Sequence, residues 1–184
     1  LNKTAPDLAS MAAERLFRSP RRHRRPAWEQ ESLTTATPLA LPWAAETLPA
    51  WSWGQGPTVL LVHGWEGRGS QLSAFVGPLL DMGFRVVAFD APGHGDGPGQ
   101  RATMIEIASA VTAALAALGP VHAIVAHSVG CVATTYALAP APGQSPRLVF
   151  VAPPTSPLAY TRMFARMVGI DEDVRRRMVG RLEA

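Results

Sequence analysis

The chain has 184 residues, 47% hydrophobic and 17% charged, with 17 Lys plus Arg against 14 Asp plus Glu for a formal charge of +3. That length suggests a single domain, and the apolar content excludes wholesale disorder. One cysteine, Cys131, excludes an intramolecular disulfide framework and a Cys-rich zinc site.

Basic charge is concentrated in residues 18–25 (RSPRRHRR), which hold five arginines. The run has no interleaved aromatics and matches no nucleic-acid motif. It reads as a solvated terminal segment, not as a nucleic-acid or membrane arm. No apolar run reaches the roughly 18 residues of a membrane helix. No secretory pattern is visible at the start, but the chain opens on Leu1, so its start says little of targeting. A cytoplasmic location is the default expectation.

Residues 1–45 read as an irregular, Arg- and Pro-rich segment. A short helix is expected over 8–17, where Leu8, Met11, Ala12 and Leu16 recur at helical spacing. Residues 47–53 alternate loosely and end at Gly54-Gln55-Gly56-Pro57, an early strand followed by a turn. Residues 58–63 (TVLLVH) are a continuous apolar run of the kind buried on both faces of a parallel sheet. Leu72, Phe75, Val76, Leu79 and Leu80 then predict an amphipathic helix, with Ser70 as N-cap, Gly83 as terminator and Pro78 limiting its length.

A second buried strand follows at 84–89 (FRVVAF), then a Gly-rich loop over 90–100. Thr103 and Glu106 form a capping-box pattern for a helix that Gly119-Pro120 stops. Strands at 123–126 and 147–151 flank a helix over 129–138. Strand and helix thus alternate, which predicts an α/β, doubly wound, mostly parallel sheet. Ligands of such sheets bind beyond the carboxyl ends of strands. The tail predicts two helices: Tyr160, Met163, Phe164, Met167 and Val168 share one face, and Asp171 caps a second helix carrying Val174, Met178 and Leu182. The first face suits either an apolar pocket wall or ordinary core packing. Arg175, Arg176 and Arg177 read as solvated helix surface. The expected domains are 1–45, a core at 46–154 and a helical segment at 155–184.

Three loops carry unusual sequence. In Ala126-His127-Ser128-Val129-Gly130, small residues two before and two after the serine allow a strained strand-to-helix turn. The helix behind it would aim free N–H groups at the site. A serine that merely caps the helix is the alternative. In His63-Gly64-Trp65, a backbone N–H sits where an oxyanion could be held, and His63 itself reads as structural. In Asp90-Ala91-Pro92-Gly93-His94-Gly95, glycines permit a tight path, and a structural turn role for His94 is favoured over that of a base. No phosphate loop or dinucleotide fingerprint is present. Cys131 reads as a small buried residue.

On VLLVHGW (59–65), FDAPGHG (89–95) and AHSVG (126–130), the chain resembles the α/β-hydrolase family over roughly residues 47–154. The resemblance implies that Ser128 is a nucleophile, with the Trp65 and Val129 amides as oxyanion hole. It implies an acyl-transfer hydrolase of an ester, thioester or similar small-molecule substrate, with no cofactor and no metal. A serine at this place argues against the branches with an aspartate nucleophile, the haloalkane dehalogenases and epoxide hydrolases. Family members place the triad acid and histidine after the serine. None of the five histidines here follows Ser128, and His127 is expected to point away from it. The chain is therefore expected to be the N-terminal part of such an enzyme, truncated before the last strands. The alternative is a non-catalytic relative that binds a ligand or partner.

Overall fold

The computed structural model describes residues 4–140 and 146–183. The chain divides into two compact units, Leu1–Pro20 with Pro154–Ala184, and Arg21–Pro153.

The larger unit is built on a six-stranded sheet of β1 (Thr37–Trp43), β2 (Glu46–Trp53), β3 (Thr58–Val62), β4 (Arg85–Phe89), β5 (Val121–His127) and β6 (Arg147–Val151). Their order is β1-β2-β4-β3-β5-β6. The four strands from β4 to β6 run parallel, and β2 joins β4 antiparallel. This is the expected mostly parallel α/β sheet. Every residue of β3 is buried, and so are Val86 to Phe89 of β4. Helices on both faces account for that burial: the core of one face includes Leu60, Val62, Ile107, Val111 and Ile124, that of the other Val59, Leu61, Val76 and Val125. Each such fully buried Leu or Ile contributes on the order of 1.5–3 kcal/mol. At the far edge, β6 pairs only with β5 among the described residues, and all five of its residues are exposed.

Helix α4 (Met104–Leu118) opens with the expected capping box between Thr103 and Glu106. The helix predicted around Leu72–Leu80 is instead a 3₁₀ turn, Gly69–Phe75, running into a short α3 (Val76–Asp81). Ser70 does not cap it, because its hydroxyl donates to the Glu29 carboxylate at 2.5 Å. Pro78 falls in the first turn of α3, where its missing N–H has no intrahelical acceptor to lose.

The segment expected to be irregular over 1–45 contains α1 (Pro6–Phe17), α2 (Ala27–Thr34) and β1. Pro38 and Pro42 hid β1; an edge strand tolerates them because one side of its ladder is unused. Helix α2 (AWEQESLT) shows no apolar stripe. Long-range bonds hold it: Glu29 is 1% exposed and pairs with Arg68, and Trp53 donates its indole N–H to Ser32 O at 3.0 Å.

The smaller unit packs α1, α6 (Pro157–Val168) and α7 (Glu172–Glu183) around Ala13, Phe164 and Met178. Phe17 stands edge-on to Tyr160 and Phe164. Asp171 caps α7 by accepting from Val174 N–H at 3.0 Å. Of the α6 face, Phe164 and Val168 join this core, whereas Met163 and Met167 are exposed. Arg175 is not solvated surface: it is buried and donates to Thr161 Oγ1 at 2.9 Å and to Glu172. Among the described residues no helix is long and apolar enough to cross a membrane.

Candidate active site

Strand β5 delivers the chain to Ser128, and α5 (Val129–Leu138) begins immediately after it. Ser128 has φ 52° and ψ −124°, a conformation that a side chain makes costly, by about 1–3 kcal/mol. Its backbone is pinned on both sides. The Ser128 N–H donates to Val151 O at 2.9 Å, and its carbonyl accepts from Cys131 N–H at 2.9 Å. The serine side chain makes no capping hydrogen bond, so the helix-cap alternative fails. The hydroxyl stays uncommitted on a partly exposed residue.

Two glycines make room for this turn. A Cβ on Gly130 would lie 2.5 Å from His63 O and 2.8 Å from Val62 O, so only glycine lets the first turn of α5 pack on the end of β3. A Cβ on Gly64 would lie 2.9 Å from Ser128 Cβ and 3.1 Å from His127 Nδ1. The turn after β3 is therefore seated directly against the serine, and the His127 ring borders the same glycine.

The Gly64–Trp65 peptide is oriented from its buried side. Gly64 O accepts from Gly67 N–H at 3.0 Å and from His63 Nδ1 at 2.7 Å. Among the described residues no peptide bond is cis, and a trans peptide points its N–H opposite to its carbonyl. The Trp65 N–H is thus turned away from the His63 ring. Val129 is the first residue of α5, so its N–H has no intrahelical acceptor.

His63 has a structural role, as expected. It is 3% exposed, its Nε2 accepts from Ala91 N–H at 3.0 Å, and burial is the main reason its pKa falls to about 4. His94 is also fully buried, with Nδ1 donating to Pro92 O at 2.8 Å and burial again lowering its pKa to about 4. It packs between His63 and the edge of Trp65, with ring centroids 5.2 and 5.0 Å away. Both rings are neutral near pH 7, and the bonds made by His63 fix its tautomer. Cys131 is buried, as expected, and burial raises its thiol pKa.

Asp90 is fully buried and accepts from Gly69 N–H at 2.7 Å, Asp96 N–H at 2.8 Å and Arg25 Nη2 at 2.8 Å. A Cβ on Gly95 would collide with that carboxylate. The arginine run expected to be solvated is therefore corrected in part. Arg25 also bonds Asp96 and lies 5.3 Å over the Trp51 ring, and Arg22 bonds three carbonyls of the 93–99 loop. The hydrogen-bonding partners named here lie 65 to 77 residues along the chain, so no local pattern foretold them.

Among the described residues no histidine or carboxylate hydrogen-bonds the Ser128 hydroxyl. His122 meets Arg147, His23 lies near Glu66, and His63 and His94 are committed to loop backbone. No described cluster of three or more His, Cys, Asp or Glu is placed to hold a metal ion.

The strained serine at a strand-to-helix turn, on a sheet of this order, is the arrangement of an α/β hydrolase. The alpha/beta hydrolase fold family model matches residues 57–184, and the chain belongs to that family. The human serine hydrolase-like protein is 44% identical over 57 residues, covering 31% of this chain and 28% of the relative. The pimeloyl-(acyl-carrier protein) methyl ester esterase of Methylococcus capsulatus is 51% identical over 45 residues, covering 24% of this chain and 17% of the relative. The chain thus spans under a third of these relatives. A Pyrococcus furiosus esterase superposes with a TM-score of 0.64 at 17% identity, covering 90% of this chain and 67% of the other. An epoxide hydrolase from an endophytic Streptomyces gives 0.60 at 24% identity, covering 72% and 43%. At these identities the likeness concerns the fold alone.

Proposed function

We propose that the chain belongs to a serine hydrolase that transfers the acyl group of an ester, thioester or similar small molecule to water. Ser128 Oγ attacks the carbonyl carbon, and the carbonyl oxygen takes up negative charge. The Trp65 and Val129 N–H groups hold that charge as hydrogen-bond donors. The alcohol or thiol then departs, and water releases the acyl group from Ser128. The proton acceptor is a histidine outside the five present here, since none of these meets the hydroxyl. No metal or organic cofactor takes part in this reading.

One observation carries it: an uncommitted hydroxyl held at φ 52°, ψ −124° at the start of α5, against Gly64. The methyl ester esterase relative supports the ester class. A serine at this turn weighs against an aspartate-nucleophile chemistry such as that of the epoxide hydrolases sharing the fold.

The test is a fluorophosphonate probe on the intact protein, read by peptide mass spectrometry. Label on Ser128, lost in Ser128→Ala, is the expected result, with turnover of a short-chain p-nitrophenyl ester. Label that persists in Ser128→Ala overturns the assignment. A second reading, a non-catalytic binding relative, is favoured by the lack of any histidine on Ser128. It predicts no label at all.

A further inference from the structure

We propose that residues 21–25 form a strap that sets the shape of the Gly64–Trp65 turn by tying together the loops that follow β3 and β4. The strap's catalytic meaning rests on the reading of Trp65 as an oxyanion donor; its mechanical role does not.

The strap grips each loop at more than one point. On the loop after β3, Arg21 N–H donates to Glu66 Oε1 at 3.2 Å, and His23 O accepts from Arg68 Nη1 at 3.1 Å. On the loop after β4, Arg22 donates to Gly93 O at 3.3 Å, Gly97 O at 2.7 Å and Gly99 O at 2.5 Å. Arg25 spans both loops. It reaches Asp90 at 2.8 Å and Asp96 at 2.7 Å on one, and Ser70 Oγ at 3.2 Å on the other.

A continuous path leads from the strap to the turn. Arg25 holds the buried Asp90 carboxylate. The next residue, Ala91, donates its N–H to His63 Nε2, and His63 Nδ1 donates to Gly64 O. That carbonyl is the other end of the Trp65 peptide. Without Arg25, Asp90, at 0% exposure, loses the one side-chain cation it pairs with among the described residues, and the loop must rearrange to hydrate or protonate it. Arginine suits the task because one planar fork serves Asp90 and Asp96 together, which a lysine ammonium does less well.

Amide hydrogen exchange on the whole chain tests this, comparing the parent with Arg25→Gln, Arg25→Lys, Arg22→Ala and Arg24→Ala. Arg24 makes no hydrogen bond or ion pair among the described residues and serves as control. Arg25→Gln and Arg22→Ala should each speed exchange at residues 64–69 and 90–99 by about tenfold or more, while β3, β4 and β5 keep their protection. Arg25→Lys should recover part of the loss, and Arg24→Ala should match the parent. Faster exchange confined to residues 21–30 overturns the proposal, as does a uniform rise across the sheet. The readout needs no turnover. If the intact protein takes no fluorophosphonate label yet the loops loosen as described, the hydrolase reading fails and the strap stands.

Discussion

Gly64 and Ser128 meet so closely that a methyl group on the glycine would stand 2.9 Å from the serine's own Cβ. The contact links the end of β3 to the end of β5 and seats the two loops against each other. Gly64→Ala must therefore displace the serine turn or its own peptide. Overpacking of this kind costs about 1–3 kcal/mol. On the proposed reading of Trp65 as an oxyanion donor, misplacing its N–H should slow probe labelling of Ser128 by about 10²-fold or more. Gly77 has open space around the position of a Cβ. Gly77→Ala should leave labelling unchanged and stabilise α3 by up to about 1 kcal/mol. Equal labelling in the two variants would mean that the Gly64 contact does not shape the site.

The Glu29–Arg68 pair offers a test of the fold's least expected feature. Both side chains are nearly fully buried, 5% exposed for Arg68 and 1% for Glu29, and the fork is bidentate at 2.6 and 2.7 Å. Glu29→Ala strands a buried guanidinium and should lower stability by about 3–5 kcal/mol in urea unfolding. Removing both charges, as in Glu29→Leu with Arg68→Met, should cost much less than the sum of the single changes. Additive losses would show that the two groups act independently.

What was legible in the sequence follows from where the determinants lie. Strands β3 and β4 are continuous β-branched and apolar runs, so burial on both faces is written locally. The serine turn was legible because its steric demand falls on Ala126 and Gly130, within two residues of Ser128. Strand β1 was not, because its two prolines contradict strand propensity and only its edge position excuses them. Nor was the role of the arginine run: Arg22 meets Gly99 O across 77 residues and Arg25 meets Asp90 across 65, and pairing at that range leaves no periodicity. A free arm and a hydrogen-bonded strap share one composition.

Acid should loosen the protein through its two buried histidines. Burial holds His63 at a pKa of about 4 against 6.5 in an unfolded chain, and His94 likewise. A depressed folded pKa means that the unfolded chain binds the extra proton first as pH falls. Stability is thus full above about pH 6.5, declines between 6.5 and 4, and levels off below. A shift of this size corresponds to about 3 kcal/mol for His63. Asp90 works in the opposite sense, since burial raises its carboxyl pKa above 3.8 and it binds a proton more readily when folded. The histidine effect is therefore cleanest in the upper part of the window. Urea midpoints at pH 7.5, 6.5 and 5.5 on the wild type and on His63→Asn (values chosen to bracket the unfolded histidine pKa of about 6.5) should show a shallower slope in the variant. An identical slope would assign the acid sensitivity elsewhere.

Ser128 itself stores strain that a substitution can release. At φ 52° and ψ −124° a Cβ crowds the backbone, at about 1–3 kcal/mol, and glycine has no Cβ to crowd. Ser128→Ala removes the hydroxyl and keeps the strain; Ser128→Gly removes both. Against that relief stands the greater freedom of glycine in the unfolded chain, about 0.4–1 kcal/mol. Relief is the larger quantity, so Ser128→Gly should be the more stable of the two by about 1 kcal/mol, with a higher midpoint in thermal unfolding. Both variants should be silent toward the probe. A position set by stability alone would favour glycine there. Should Ser128→Gly prove no more stable than Ser128→Ala, the turn is relaxed and its geometry is no sign of chemistry.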